Sequence, residues 1–467
     1  MLTPFPKDFI FGAATSSFQI EGNHLADGAT PSNWYHFCQN KLGISGNELN
    51  KLGCNHYHYW KEDVALIKEL GLSSYRFSVS WPRIIPSGYG SHNSKGLDFY
   101  DNLVDELLNH DISPMLTLFH WDYPQVLEDQ GGWANPDSPE WFVEYVQAVA
   151  ERLGDRIPIW ITMNEPWVFL HLGFIKGIHA PGYSDLEHAA AAYSNILKAH
   201  SKSVEYLRSH HSNSEVGLSC NISPFVPASE SEADANACRR IHDYHNKLFL
   251  DPCLKGSVPE VVEKAFDKYI PEWLYANTEQ IKHSLDFIGV NYYTFFRIKQ
   301  DKNAFLQATS TPPAPPLTDM KWEVYPKGLY DAIEWTYNRY ETPLYITENG
   351  CAYTEQPHNG KVEDERRSDF MYRHLKECRH AISNGIPLKG YYAWSLLDNF
   401  EWTFGLNKRF GLIHVDFESY QRTIKNSGYF YRDFINGKTD KPDHIDSGTN
   451  NVTEGQVWHD DIDFRAV

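Results

Sequence analysis

Eight times along this chain a short apolar run of β-type residues gives way to a longer segment with helical spacing. The runs are Phe9–Thr15 (continuing through Phe18–Glu21), Ser74–Trp81, Met115–Trp121, Ile157–Asn164, Val216–Asn221, Asp286–Thr294, Pro343–Thr347 and Gly390–Leu397. Between and after them, helical periodicity predicts helices over Trp60–Leu70, Gly96–Asn109, Pro139–Leu153, Asp185–Ser209, Glu232–Leu250, Pro326–Tyr340, Glu363–Asn384 and Tyr420–Phe434. Strict strand–helix alternation excludes a sandwich, and a doubly wound sheet rarely holds eight units with such long, uneven loops. The expected fold is α/β, a single (β/α)8 TIM barrel with long βα loops after units 1, 4 and 6. With 467 residues, 42% of them hydrophobic, one large barrel over residues 1–436 is affordable without a second domain. Residues 437–467 read as a polar, acidic tail, packed on the barrel or partly disordered.

A barrel presents its chemistry at the carboxyl ends of its strands. The seventh run ends in Tyr345-Ile346-Thr347-Glu348-Asn349-Gly350. Alone, that is a turn beside a solvated carboxylate. The fourth run ends in Asn164-Glu165-Pro166, so a second carboxylate faces the same mouth from across the axis. Opposed carboxylates point to glycoside hydrolysis, retaining at a gap of about 5–5.5 Å and inverting at about 6.5–9.5 Å. Other strand ends carry Arg76, which can pair with a carboxylate, and Tyr293, which can donate to one. Gln19, His120 and Glu401 supply polar groups there, and Trp121, Trp394 and Trp402 supply aromatic faces. Singly, Arg76 reads as a structural ion pair, His120 as a satisfied core histidine, and Tyr293 and Trp394 as packing. Polar and aromatic residues at the ends of runs 1, 2, 3, 4, 6, 7 and 8 have no such joint explanation.

The stretches FGAATSSFQIEG, YRFSVSWPRI, FHWDYPQ, TMNEPW, DFIGVNYYT, YITENG and YYAWSLLDNFEW, followed by KRFGL, run in this order from Phe9 to Asp416. In them the chain resembles glycoside hydrolase family 1, the β-glucosidase and β-galactosidase family. The resemblance implies a retaining, exo-acting β-glycosidase for unphosphorylated β-D-glucosides, with galactosides or fucosides also accepted and transglycosylation as a side reaction. Glu348 would be the nucleophile and Glu165 the acid/base. Arg76 and Tyr293 would keep Glu348 anionic and aligned, while burial and Glu348 raise the pKa of Glu165. Asn164 would bind the sugar 2-hydroxyl. Gln19, His120, Trp121, Glu401 and Trp402 would line the glycone pocket over a floor of Trp394. Asn291, Trp322 and Trp167 would lie towards the leaving group, and Phe410 would close one wall. Glu165 stands where the thioglucosidase branch has Gln, and Trp402 where the 6-phospho-glycosidase branch has Ser. Both differences favour unphosphorylated O-glycosides.

A net charge of −19, from 42 Lys and Arg against 61 Asp and Glu, argues against nucleic acid and anionic membranes. The expected partner is a small β-glycoside or oligosaccharide, with no cofactor and no metal. His56-x-His58 precedes a helix and reads as surface. Seven scattered Cys with no close pair, and an opening stretch lacking the basic-then-apolar pattern of a leader, suggest a reducing cytoplasm. Of the two glycosylation-type triplets, at Asn221 and Asn451, the first sits in an apolar segment and reads as chance. An endo-acting barrel glycosidase and a catalytically dead sugar-binding barrel remain as rivals. Gln19 and the Trp394–Trp402 segment argue against the first, and the presence of both Glu residues against the second.

Overall fold

A computed structural model describes residues 4–49 and 53–439. Eight parallel strands close a barrel in sequence order: β1 (Ile10–Ala14), β2 (Ser74–Ser78), β3 (Ser113–Phe119), β4 (Ile159–Asn164), β5 (Glu215–Asn221), β6 (Phe287–Tyr292), β7 (Leu344–Asn349) and β8 (Leu388–Trp394). Closure is made by β1 on β8, with Ala14 opposite Trp394. The principal outer helices are α1 (His56–Glu69), α2 (Ser94–Asn109), α3 (Ser138–Leu153), α4 (Leu186–His210), α5 (Glu232–Lys247), α6 (Pro326–Tyr340), α7 (Glu365–Ser383) and α8 (Asn426–Ile435). One follows each strand, so the expected barrel stands.

Strands buried on both faces explain why these runs are apolar without clean alternation. One face packs on the helices. The other fills the barrel interior with Ala14, Met115, Ile159, Ile161, Phe287, Tyr345 and Tyr392, and Trp394 and Phe410 belong to this same cluster. The helices are amphipathic for the same reason: α2 buries Leu97, Tyr100, Leu103, Val104 and Leu107 at three- and four-residue spacing.

Three differences from the expected elements have local causes. The first strand stops at Ala14, and Ser17–Ile20 forms a helical turn that aims Gln19 inward. The final helix starts at Asn426, because Arg422–Ile424 pairs as a strand with Ile413–Val415. His56 is buried, not at the surface: its Nδ1 lies 2.8 Å from Asp63, which also accepts from Arg422. The phase of α1 turns His56 inward and leaves His58 exposed.

The long loops carry structure of their own. After β4 come helical turns at Pro166–Leu170 and His171–Ile175. From the loop after β6, Phe296–Gln300 and Ala308–Ser310 form a small sheet with Phe225–Pro227 from the loop after β5. Among the described residues no helix is long and apolar enough to cross a membrane. All seven cysteines are free and buried. The Asn451 triplet and the tail from residue 440 lie outside the described residues.

Candidate active site

Two strands deliver the carboxyls, and both are irregular where they do so. The register of β7 shifts against β6 between Ile346 and Glu348, and that of β4 shifts against β5 between Ile161 and Asn164. Such irregularities re-aim a side chain from the strand's regular alternation. Glu165 follows β4 at φ 47°, in the left-handed region. Trp121 (φ 82°) and Trp402 (φ 47°) are also left-handed, so strain of about 1–3 kcal/mol apiece gathers at one mouth. The Asn349-Gly350 pair differs from the expected turn. Asn349 is still paired in β7, and Gly350 is there for space: a Cβ would lie 1.7 Å from the Trp394 carbonyl oxygen. The Asn349 side chain locks the strand end, donating to Tyr292 O at 2.7 Å and accepting from Tyr391 at 2.8 Å.

The two carboxyls share one polar chain but have different partners. Glu348 accepts from Arg76 at 2.5 Å on Oε1 and from the Tyr293 hydroxyl at 2.6 Å on Oε2. Arg76 also donates to Asn164 Oδ1 at 2.6 Å. Asn291 Nδ2 donates to that same oxygen at 3.0 Å and to Glu165 Oε1 at 2.8 Å. The Asn291 oxygen accepts from Thr347, which fixes its amide. With two donors on Asn164 Oδ1, its amide nitrogen must face His120 Nε2, 3.1 Å away. His120 is therefore neutral, and burial holds its imidazole well below the usual range.

Burial pushes Glu165 up to about 8 and repulsion from Glu348 adds to it, while its side-chain donor is the neutral Asn291 amide. Burial also raises Glu348, against the pull of Arg76 and Tyr293. They oppose the rise without cancelling it. The ordering is what matters: the Arg76 charge makes Glu348 the stronger acid of the two. Glu401 is raised to about 8 by burial and by Glu348, with Gln19 opposing.

A single cavity lies between them. His120, Trp121, Glu165, Tyr293, Trp322, Glu348, Trp394, Glu401, Trp402 and Phe410 line it. Gln19 stands beside Glu401, donating to Phe400 O at 2.8 Å and lying 3.5 Å from the Glu401 carboxyl. Arg76, Asn164 and Asn291 are not in the lining; they are fully buried and joined to it through Glu348 and Glu165. Trp167 is not in the lining either. It packs against His171 and His245, at 4.7 and 4.0 Å between ring centres, and faces a neighbouring cavity with Tyr244 and Phe305.

Sequence reasoning missed His179, Asn221, Met320, Thr403 and Phe404 in the lining. A signal existed for Asn221. It ends β5, the one strand end without a polar assignment in the sequence, where it reads as a chance glycosylation triplet. It is 4% exposed. Among the described residues there is no cluster of three or more His, Cys, Asp or Glu able to hold a metal ion.

Comparison with known proteins agrees with this geometry. The family model described as Glycosyl hydrolase family 1 matches residues 1–440. The chain belongs to glycosyl hydrolase family 1. It is 43% identical to a 1,4-beta-D-glucan glucohydrolase of Thermotoga neapolitana, over 93% of this chain and 99% of that protein. It is 44% identical to a beta-glucosidase of Agrobacterium sp., over 93% and 95% of the two chains. The solved family 1 β-glucosidase of Thermotoga maritima superposes with a TM-score of 0.90 at 41% identity, covering 93% of this chain and 98% of that one. As a family 1 member the protein is a glycoside hydrolase.

Proposed function

We propose that the protein is a retaining, exo-acting β-glucosidase that works by double displacement. The observation that carries this reading is the unequal partnering of the two carboxyls. Glu348 has a guanidinium and a phenol on its two oxygens. That makes it a poor base towards water but leaves it ionised at a pH where Glu165 still holds a proton. In the first step Glu348 attacks the anomeric carbon. The glycosidic C–O bond breaks, and the Glu165 proton passes to the leaving oxygen. Repulsion from Glu348 then disappears, the pKa of Glu165 falls, and its carboxylate takes a proton from water. That water attacks the anomeric carbon and frees Glu348. A sugar hydroxyl in place of water gives transglycosylation. Asn164 meets the 2-hydroxyl, where interactions strengthen in the transition state.

Trp394, Trp402, His120, Trp121 and Glu401 form a closed end, which supports release of one terminal sugar at a time. Unphosphorylated glucosides are the first choice of substrate, given relatives named as β-glucosidases and as a glucan glucohydrolase. Fucosides and galactosides follow. A Bifidobacterium breve relative, 36% identical, is named as a bifunctional β-D-glucosidase/β-D-fucosidase, and the Thermotoga maritima enzyme has been solved with a galacto-hydroximolactam. Seven buried, unpaired thiols support a reducing cytoplasm. The barrel itself extends to residue 436, with the remainder a polar tail.

The test is azide rescue. Glu348→Ala with azide should release the α-glycosyl azide, and Glu165→Ala with azide the β-glycosyl azide. The opposite pairing would reverse the roles, and no rescue of either would remove the double displacement. A panel of nitrophenyl glucoside, galactoside, fucoside, mannoside and xyloside fixes the order of glycones.

A further inference from the structure

Asn221 is the strand-end residue that the family motifs do not touch, and it is gripped from outside the barrel. Two successive residues near the end of α5 do this. Asn246 accepts the Ser223 backbone N–H at 3.2 Å and donates to the Ser223 carbonyl at 2.8 Å, which fixes the chain just past β5. His245 lies with Nε2 2.8 Å from Asn221 Oδ1, and the Ser223 hydroxyl donates to the same oxygen at 3.3 Å. His245 is 3% exposed, its Nδ1 has no partner among the described residues, and burial lowers its pKa to about 3. It is therefore a neutral imidazole. Its single proton sits on Nε2, because the atom it meets is a carbonyl oxygen, which only accepts. With its oxygen occupied from behind, the Asn221 carboxamide is left with its NH2 to present to the cavity that Glu165 also lines, and Asn221 is among the groups that oppose the rise in the Glu165 pKa.

We propose that His245 is a positioning residue for Glu165, holding the Asn221 amide so that it can donate to the Glu165 carboxyl and cannot accept from it. The inference rests on the reading of Glu165 as acid/base. An amide free to rotate would offer its oxygen to protonated Glu165 and favour the neutral form. The locked amide favours the ionised form, opposing the rise that burial and Glu348 impose. The other titratable groups facing Glu165 are Glu348, Arg76, Tyr293 and Cys220. None of them touches His245, whose own neighbours are His242 on the same helix and the rings of Trp167 and Phe225. A His245 substitution can therefore reach Glu165 through Asn221 without moving those charges.

The experiment compares His245→Phe, which fills the space without a donor, with His245→Gln, whose amide nitrogen replaces Nε2–H. In His245→Phe the alkaline limb of kcat/KM should move up by about one pH unit, the worth of one hydrogen bond to a charged group. Activity on a methyl glucoside, whose leaving group needs protonation, should fall about fivefold. Activity on dinitrophenyl glucoside, whose leaving group does not, should hold. His245→Gln should restore the parent profile. In an Asn221→Leu background, the His245→Phe change should have no further effect on the profile. Superimposable profiles for His245→Phe and parent overturn the proposal. So does equal loss on both substrates, or an undiminished His245 effect in Asn221→Leu. Where His245→Phe does not fold, the Gln variant and Ser223→Ala are read instead. A shift in Gln larger than in Ser223→Ala has the same overturning force. Glu165→Gln separates this from the parent reading. If it too lacks leaving-group dependence, the acid/base assignment fails; if it has that dependence and His245→Phe does not, only the role of His245 fails.

Discussion

Asp398 and Glu165 are both buried carboxyls at the barrel mouth, 0% and 5% exposed, yet they titrate in opposite directions. Burial pushes each up. At Asp398 it is outweighed by Lys425 at 2.7 Å and Arg409 at 2.9 Å, with the Gly411 N–H completing the set at 2.9 Å, and the carboxyl is held below its usual range. Lys425 carries the cost: burial, with Arg367 adding to it, lowers its ammonium despite the pull of Asp398. At Glu165 the donor is a neutral amide, Asn291 at 2.8 Å, and the carboxyl rises to about 8. Glu348 lies between these extremes, with one cation and one phenol. Burial is thus common to all three. Chemistry sits where counter-charge is withheld, and structure where it is supplied in full.

The widest contrast comes from Glu348→Ala, expected to cost roughly four to six orders of magnitude in kcat on every substrate, measured with both methyl and dinitrophenyl glucosides. A uniform loss is the signature of the nucleophile. Glu165→Gln should lose about a hundred- to ten-thousandfold on the methyl glucoside and far less on the dinitrophenyl compound. If the two variants behaved alike, the difference in partners would have no chemical meaning.

Asp398→Asn breaks the other side of the comparison. It leaves Lys425 and Arg409 buried without their anion, so unfolding free energy at neutral pH should fall by about 3–5 kcal/mol in a denaturant titration. The pH dependence fixes the cause. A carboxyl with a depressed folded pKa contributes stability above its unfolded value near 3.9, and that contribution is lost as pH falls through the folded value. The gap between parent and Asp398→Asn should therefore be full at neutral pH and close in acid. Asp398 is three residues from Glu401, so a pure stability defect with kcat retained in the folded fraction shows that the knot supports the pocket without entering the reaction.

The barrel was legible because strands buried on both faces and amphipathic helices leave different periodicities in the chain. The opposed carboxyls were legible because strand order alone sends Glu165 and Glu348 to one mouth. What was hidden depended on contacts between distant segments. Asp63 is only seven residues from His56 on α1, but Arg422, the second partner that makes Asp63 a buried anchor, arrives 359 residues later in the chain. Nothing in the loop after β4 brings His179 back to Trp121. Trp167 follows Glu165 so closely that a role at the leaving group is the natural reading, but the helical turn that starts at Pro166 swings its ring against His171 and His245. The partners of Glu348 were legible as an Arg and a Tyr at strand ends, but the burial that raises its pKa against them was not, because sequence names an Arg but not the depth at which it is buried.

Tyr293→Phe makes the smallest change and tests the finest part of the comparison. It removes one hydroxyl, 2.6 Å from Glu348 Oε2, and leaves the ring against Trp322 and Phe410. That hydroxyl donates only to the carboxylate, so its loss disfavours the ionised form and raises the pKa of Glu348 further. Because Glu348 must be ionised to attack, activity survives only above its pKa. The acid limb of kcat/KM should therefore move up while the alkaline limb, set by Glu165, stays. A hydrogen bond to a charged group is worth about 1.5–3 kcal/mol, which predicts roughly a ten- to hundredfold loss at the optimum. Movement of the alkaline limb instead would mean that Tyr293 acts on Glu165, and that the two carboxyls are not as separately partnered as their hydrogen bonds indicate.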